Sequence, residues 1–270
     1  MKLKAFFIGH IKIFKVIAAV IAFGLIAWIF VFTNALVGNP VSYLIVKNNA
    51  EKLVTEEYAA EGYVLEKVSY NFKFGNYTAH IVTPGSTDKR FYLSFDFFGA
   101  HKSGNYKLSN RLSGNVRDRL EMSYRALVDN VLESPSYPYS SYIAFGTLDF
   151  DYDENEGYLI RGITLVPDGI YDIAEVGANA GRLIIYVDVN EKATPEKAAE
   201  ILLELNSLMK QGGATFYTIE LTLESDNGGY IIKDFLRSDI YEDGLVERVK
   251  AVGLMTDEFN AKHDDPKKDI

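Results

Sequence analysis

The sequence predicts an α+β protein on a membrane anchor: a single N-terminal transmembrane helix followed by two small modules, each a helix with an antiparallel sheet. Three observations carry this reading. Val16 to Phe32 is an apolar run without charge or proline, the order helix then strands occurs twice beyond it, and the strands alternate apolar with polar residues. The boundaries fall at 1–37 for a cytoplasmic tip and anchor, 38–110 and 111–262 for the two modules, and 263–270 for a polar tail too charged to pack.

The anchor comes first. A spanning helix needs about 20 apolar residues, with a range of roughly 17 to 25, and the apolar character of Val16 to Phe32 continues through Val37. Signal-peptide apolar regions are shorter, roughly 7 to 15 residues, and Thr33-Asn34-Ala35 is a poor cleavage site against bulky Leu36. A retained anchor is therefore favoured over a cleaved signal. Lys2, Lys4, Lys12 and Lys15 precede the run and the next lysine is Lys47, so the positive-inside rule puts the N-terminus in the cytoplasm and the rest of the chain outside the cell membrane. Trp28 lies towards the outer end, where an indole suits the interface.

Composition bounds the exported part. The net charge is −9, and because the anchor holds four lysines and no acid, the remainder carries 24 basic against 37 acidic residues. Such a surface repels nucleic acid and anionic lipid and keeps the protein soluble. Without cysteine there is no disulfide, thiol catalysis or thiolate metal site, so stability rests on the core, and a chain that is 48% hydrophobic with 18 Tyr and 17 Phe can build one.

In the first module, Asn39 and Pro40 read as the cap and first residue of a helix over 41–60, with Tyr43, Val46, Ala50, Leu53 and Val54 as its stripe and Gly62 as its stop. Tyr63 to Phe74 alternates as a strand, Gly75-Asn76 reads as a two-residue hairpin turn into Tyr77 to Val82, and Phe91 to Phe98 is the third strand.

The second module opens on a helix with Val116, Leu120, Tyr124, Leu127, Val128 and Val131 on one face, closed by Ser134-Pro135. Tyr142 to Asp151 reads as a strand, Gly157 to Val166 as its partner, and Arg182 to Val189 as a short apolar strand; residues 167–181 fit neither period. Thr194-Pro195-Glu196 is a helix start, with cap, proline and first-turn acid in order, and Gly212-Gly213 ends that helix. Thr215 to Leu223 and Tyr230 to Leu236 are strands, and Leu245, Val249, Val252, Met255 and Phe259 define a last helix over about 243–260.

Three stretches resemble one family: GNPVSYLIVKNNAEKLVTEEY after the anchor, VSYNFKFGNYTAHIVTPGSTDKRFYLSF in the meander, and AAEILLELNSLMKQGGATFYTIELTLE near the end. Together they are similar to the YfjL-like proteins of Gram-positive bacteria. The resemblance covers most of the chain beyond residue 36 and implies a single-pass exported protein with α+β domains. It carries no catalytic residue.

Candidate chemistry is sparse. Asp149, Asp151, Asp153 and Asn155 offer oxygens at alternating positions, as a hard cation requires, but Glu154 and Ile160 stand where a calcium loop needs glycine and a closing Glu. A solvated strand and turn explains the aspartates instead, with Phe150 and Tyr152 turned to the core. His10, His80, His101 and His263 form no helical ligand pair; His80 and His101 are placed to meet across the meander, with Asp88 or Asp96. Tyr137, Tyr139 and Tyr142 lie in an aromatic, proline-bearing loop, a candidate surface for a protein or cell-wall partner, against the plainer role of packing the sheet rim. No cofactor motif is present, neither GxGxxG, P-loop nor GxSxG.

The reading is therefore an anchored extracytoplasmic binding or regulatory module. Its alternatives are an exported enzyme whose dispersed Asp149, Asp151 and His80 converge in the fold, and a structural spacer near the wall.

Overall fold

The computed structural model describes residues 2–102, 108–190, 192–226 and 228–256. Phe259 and the polar tail lie outside them. The chain forms two compact units that divide between Tyr106 and Lys107.

The first unit begins with α1 (Lys2–Val37), in which the side chains from Val16 to Phe32 are apolar and exposed. It supplies the one helix among the described residues long and apolar enough to cross a membrane. Gly38 then turns the chain at φ +82°, and Asn39 caps α2 (Pro40–Glu57) by accepting from the amides of Val41 at 2.8 Å and Ser42 at 3.3 Å. The expected cap and N1 proline are both in place.

α2 lays Val46, Ala50 and Val54 on a four-stranded antiparallel meander of β1 (Val64–Asn71), β2 (Asn76–Val82), β3 (Arg90–Phe95) and β4 (His101–Lys102). The period of two divides the sheet cleanly: Tyr77, Ala79, Ile81, Phe91, Leu93 and Phe95 are buried, and the intervening residues lie on the other face. The first hairpin differs from expectation. Asn71 pairs with Asn76, so residues 72–75 form a four-residue loop, started by the Asn71 side chain accepting from the Lys73 amide and closed by Gly75 at φ +60°.

The second unit runs α3 (Leu108–Leu132), β5 (Ala144–Leu148), β6 (Asp151–Asp153), β7 (Gly157–Ile160), β8 (Ile163–Thr164), α4 (Ile173–Ala180), β9 (Gly181–Asp188), α5 (Pro195–Gln211), β10 (Thr218–Glu224), β11 (Tyr230–Leu236), α6 (Leu245–Val252) and β12 (Leu254–Met255). Its main sheet has the order β12-β11-β10-β9-β5. The expected antiparallel pairing holds except at the centre, where β9 and β10 run parallel, Ile185 opposite Leu221. The cause is α5, a crossover between them that returns the chain to the same end of the sheet. One face is dry: Leu183, Ile185, Val187, Ile219, Leu221 and Leu223 share a core with Ile201, Leu202 and Leu205 of α5, Val249 of α6, and Leu120, Tyr124 and Val128 of α3.

Three further expectations are corrected. The strand over Tyr142 to Asp151 is two strands, because the chain leaves the main sheet after Leu148, where the Asp149 amide donates to the Ala180 carbonyl, and enters the small sheet β6-β7-β8 at Asp151. β5 accordingly pairs with β9, not with Gly157 to Val166. The last helix stops at Val252, since Gly253 lies against the Tyr230 hydroxyl, which donates to the Val249 carbonyl, and Met255 then pairs with Tyr230 as β12.

The C-terminal core has one tight point. A Cβ at Gly177 would lie 2.5 Å from the Tyr124 ring and 2.6 Å from the Thr215 carbonyl oxygen. Helix propensity alone favours alanine there by about 1 kcal/mol, but overpacking costs about 1–3 kcal/mol. Gly177→Ala should therefore destabilise the protein in chemical denaturation; a gain in stability would show that α4 can shift away from Tyr124.

Candidate functional site

An apolar cleft of about 330 Å³ lies in the second unit, walled by Ile160, Ile163, Leu165, Ile170, Tyr171 and Val176. Three local structures build it. β7 and β8 are joined by a two-residue turn, because Ile160 pairs with Ile163, and both central residues are left-handed, Arg161 at φ +50° and Gly162 at φ +76°. That is the tight hairpin geometry in which glycine and asparagine are preferred. Arginine carries a penalty of order 1–3 kcal/mol in such a conformation. Its side chain repays the strain locally: Nε donates to the Asn179 carbonyl at 2.8 Å, and the guanidinium lies 4.0 Å from the centre of the Tyr217 ring.

The second structure is the loop from Leu165 to Tyr171. The Tyr171 hydroxyl accepts from the Val166 amide at 2.8 Å, the Gly169 amide donates to the Val166 carbonyl at 3.0 Å, and Arg119 donates to the Gly169 carbonyl at 3.1 Å. Asp168 in this loop is also left-handed, at φ +59°. The third is α4, whose N-cap Asp172 accepts from the amides of Ala174 and Glu175. These bonds hold the backbone while Ile163 and Ile170 stand in solvent, Ile170 wholly exposed. Exposed isoleucines on a braced rim, above a partly buried apolar floor, are the pattern of a binding cleft.

The acids of Asp149 to Asp153 do not converge. Asp149 pairs with Arg182 (Nη2 to Oδ2 3.0 Å), which also binds Glu220 at 2.6 Å and Asp234 at 2.7 Å. The hydrogen bonds that Arg182 donates to Asp149, joined by those to the other carboxylates, raise the guanidinium pKa still further above its ordinary value. Asp151 is exposed on β6, and Asp153 accepts from the Asn155 and Glu156 amides as a turn former. Tyr152, expected to face the core, is exposed, with its hydroxyl accepting from Asn110. Among the described residues no group of three or more His, Asp and Glu is arranged to hold a metal ion.

The tyrosines of the loop take separate places. Tyr137 and Tyr139 meet edge to face and pack against the core; burial pushes the Tyr137 hydroxyl up to about 12. Burial and a hydrogen bond to Glu204 raise that of Tyr139. Tyr142 alone is exposed, its ring tilted against Tyr186 on the open face of the main sheet and its hydroxyl donating to Glu224 at 2.8 Å, the bond that raises its pKa first.

His80 and His101 stay apart. His101 pairs with Phe95, whose side chain enters the core, whereas His80 pairs with Tyr92 on the opposite face. The His80 Nε2 lies 2.9 Å from the Ser69 hydroxyl, and its ring meets Tyr92 edge to face. Asp96 accepts from the amides of Phe98 and Ala100 at 2.8 Å each and so serves its own turn. Asp88 is buried at the preceding turn. His10 and His263 have no described side chains.

Residues 13–106 match the YfjL-like N-terminal domain, and residues 123–250 match the YfjL-like C-terminal domain. The chain belongs to the YfjL-like family. No curated protein and no solved structure gives a significant match. The cleft, from Ile160 to Asn179, falls wholly within the stretch matched by the YfjL-like C-terminal domain. It was illegible in the sequence because residues 167–181 follow no period. The one available signal was a cluster of isoleucines and tyrosine around Pro167 and Gly169, where a plain turn would be polar.

His80 offers a pH test of this YfjL-like protein. Burial, and then the positive charge of Lys67, hold its imidazole below 6.5 against the opposing pull of Glu66. A folded pKa below the unfolded one means that the unfolded chain binds more protons between the two values. The stability that neutral His80 contributes is whole above pH 6.5 and declines as pH falls through the folded pKa. An NMR titration of the His80 ring should give a midpoint below 6.5, and His80→Gln should flatten that decline; a midpoint at or above 6.5 would refute the assignment.

Proposed function

We propose that this YfjL-like protein is a single-pass membrane protein whose two modules lie outside the cytoplasm, and that its C-terminal module binds an apolar segment of a partner protein in the cleft between β8 and α4. The observation that carries the binding reading is the braced apolar cleft itself, with Ile163 and Ile170 exposed at its rim. A reaction centre would instead present polar groups aimed into the space. Here the Asp172 carboxylate caps α4, and the Nε of Arg161 is taken up by a backbone carbonyl. The rim charges of Arg161, Asp172 and Glu175 are suited to fixing the direction of a bound segment.

The topology rests on the lysines before the apolar run and on the span of α1. Protease added to intact cells stripped of their wall should remove a C-terminal epitope and spare an N-terminal one; the opposite pattern would reverse the orientation.

The cleft is tested in the same cells. A photo-crosslinking residue at Ile170 should capture a protein, and Ile163→Asp should abolish that capture. Because both side chains are exposed, neither change should move stability by more than about 0.5 kcal/mol. Capture that persists in Ile163→Asp, or a cellular phenotype lost in Glu175→Gln and kept in Ile163→Asp, would favour chemistry over binding.

A further inference from the structure

The membrane end of the first unit is unlike its other end. α1 does not lead into a loose linker. The Tyr70 hydroxyl donates to the Ala35 carbonyl at 3.2 Å, and the Tyr77 hydroxyl both accepts from the Asn39 amide at 2.7 Å and donates to the Asn39 carbonyl at 3.0 Å. Gly38 lies so close to both rings that a Cβ would sit 2.8 Å from Tyr70 and 2.9 Å from the Tyr77 hydroxyl. The last turn of α1 is thus bound to the end of β1 and the start of β2.

Strand direction then decides which turns share that end. β1 runs towards it and β2 away, so the loop at 72–75 lies there; β3 pairs antiparallel with β2 and runs towards it, so the turn at 96–100 lies there too. Both turns are aromatic. Phe72, Phe74 and Phe98 are 67%, 69% and 81% exposed, and Phe97 is 42% exposed. The start of α2, at the same end, exposes Val41 and Leu44. No charged residue occurs from Val16 to Val46.

The opposite end carries the turn Pro84-Gly85-Ser86-Thr87-Asp88-Lys89, which is polar as turns in water normally are. One sheet therefore has phenylalanines at the tips beside the anchor and small polar residues at the tip remote from it. Lys73 sits between Phe72 and Phe74, with its ammonium 5.6 Å from the Phe74 ring centre. Aromatic rings with a neighbouring lysine fit the headgroup layer, where the ring enters the acyl boundary and the ammonium meets phosphate.

We infer that the two phenylalanine turns of the N-terminal module, 72–75 and 96–100, dip into the outer headgroup layer of the bilayer, so that the module is seated on the membrane rather than held above it. This rests on the membrane-spanning reading of α1. The occupant is lipid, because the aromatic surface is continuous with the anchor through Ala35, Gly38 and Asn39.

The test uses the full chain in vesicles of phosphatidylcholine and phosphatidylglycerol whose acyl chains are brominated near the headgroup or near the bilayer centre. Native Trp28 reports on the anchor. In a Trp28→Phe background, tryptophan is introduced singly by Phe74→Trp, Phe98→Trp or Val64→Trp, the last at the far end of β1, about 23 Å away at 3.3 Å per residue. Phe74→Trp and Phe98→Trp should show blue-shifted emission quenched several-fold more by shallow than by deep bromine, while Val64→Trp is unquenched. Quenching of native Trp28 with none at the two turns would overturn the seating and leave the anchor intact. Blue-shifted turn emission insensitive to bromine would overturn it in favour of a protein cover. Absence of quenching at Trp28 would overturn the membrane reading, and the seating with it.

Discussion

One ring, Tyr124, occupies space that three glycines leave, and the C-terminal module is assembled around it. It is wholly buried, and a Cβ at Gly146, Gly177 or Gly181 would approach it to 3.0 Å or less. Its hydroxyl donates to the Thr215 carbonyl at 2.9 Å, and burial holds its pKa well above the ordinary tyrosine value. The glycines belong to β5, α4 and β9, so a single side chain from α3 fixes the register of three elements. α4 in turn carries Glu175, Val176 and Asn179 to the cleft. One wall of the candidate site is thus packed directly on the core through α4 and Tyr124.

The N-terminal module solves a related problem with a different tyrosine. A helix that stops and starts again, as α1 and α2 do around Gly38, has unpaired backbone groups at both ends of the break. Asn39 satisfies donors at the start of α2 with its side chain, and the Tyr77 hydroxyl pairs both the amide and the carbonyl of Asn39 itself. With no cysteine in the chain, such polar locks and the apolar cores are what hold the two modules in shape. Both modules cover one face of a sheet with helices and leave the other wet. On the wet faces the sequence places paired polar groups: Ser69 with His80 and Asn76 with Ser94 in one sheet, Arg182 with its three carboxylates in the other.

How legible this was depended on whether the signal was local. α2 and α5 were readable to within a few residues because cap, proline and apolar stripe agree at each start, and the meander was readable because its strands alternate strictly. The parallel pairing of β9 with β10 was not, although both strands and the intervening helix were, since the hand and direction of a crossover live in tertiary packing. Tyr142 to Asp151 alternates without a break from Thr147 onward and gives no sign that Asp149 and Phe150 pass from one sheet to another. Met255 continues the helical period of α6 and is taken by β11 instead, because Gly253 and Tyr230 bring the chain back.

The site was less legible than the fold for a physical reason. Sequence reading weighs residues by reactivity, so it selected aspartates, histidines and a run of tyrosines, and folding has assigned most of these to structural duties. Asp149 neutralises Arg182, Asp153 and Asp96 stabilise turns, and Tyr137 and Tyr139 close the core. What remains conspicuous is the reverse class: side chains whose exposure no local duty explains. Ile163 and Ile170 stand over a cleft, and Phe72, Phe74 and Phe98 stand at the end of a sheet next to α1. Both groups are apolar surface, one beside the end of α1 and one in the C-terminal module, and neither is of a residue type that a search for reactive side chains would select.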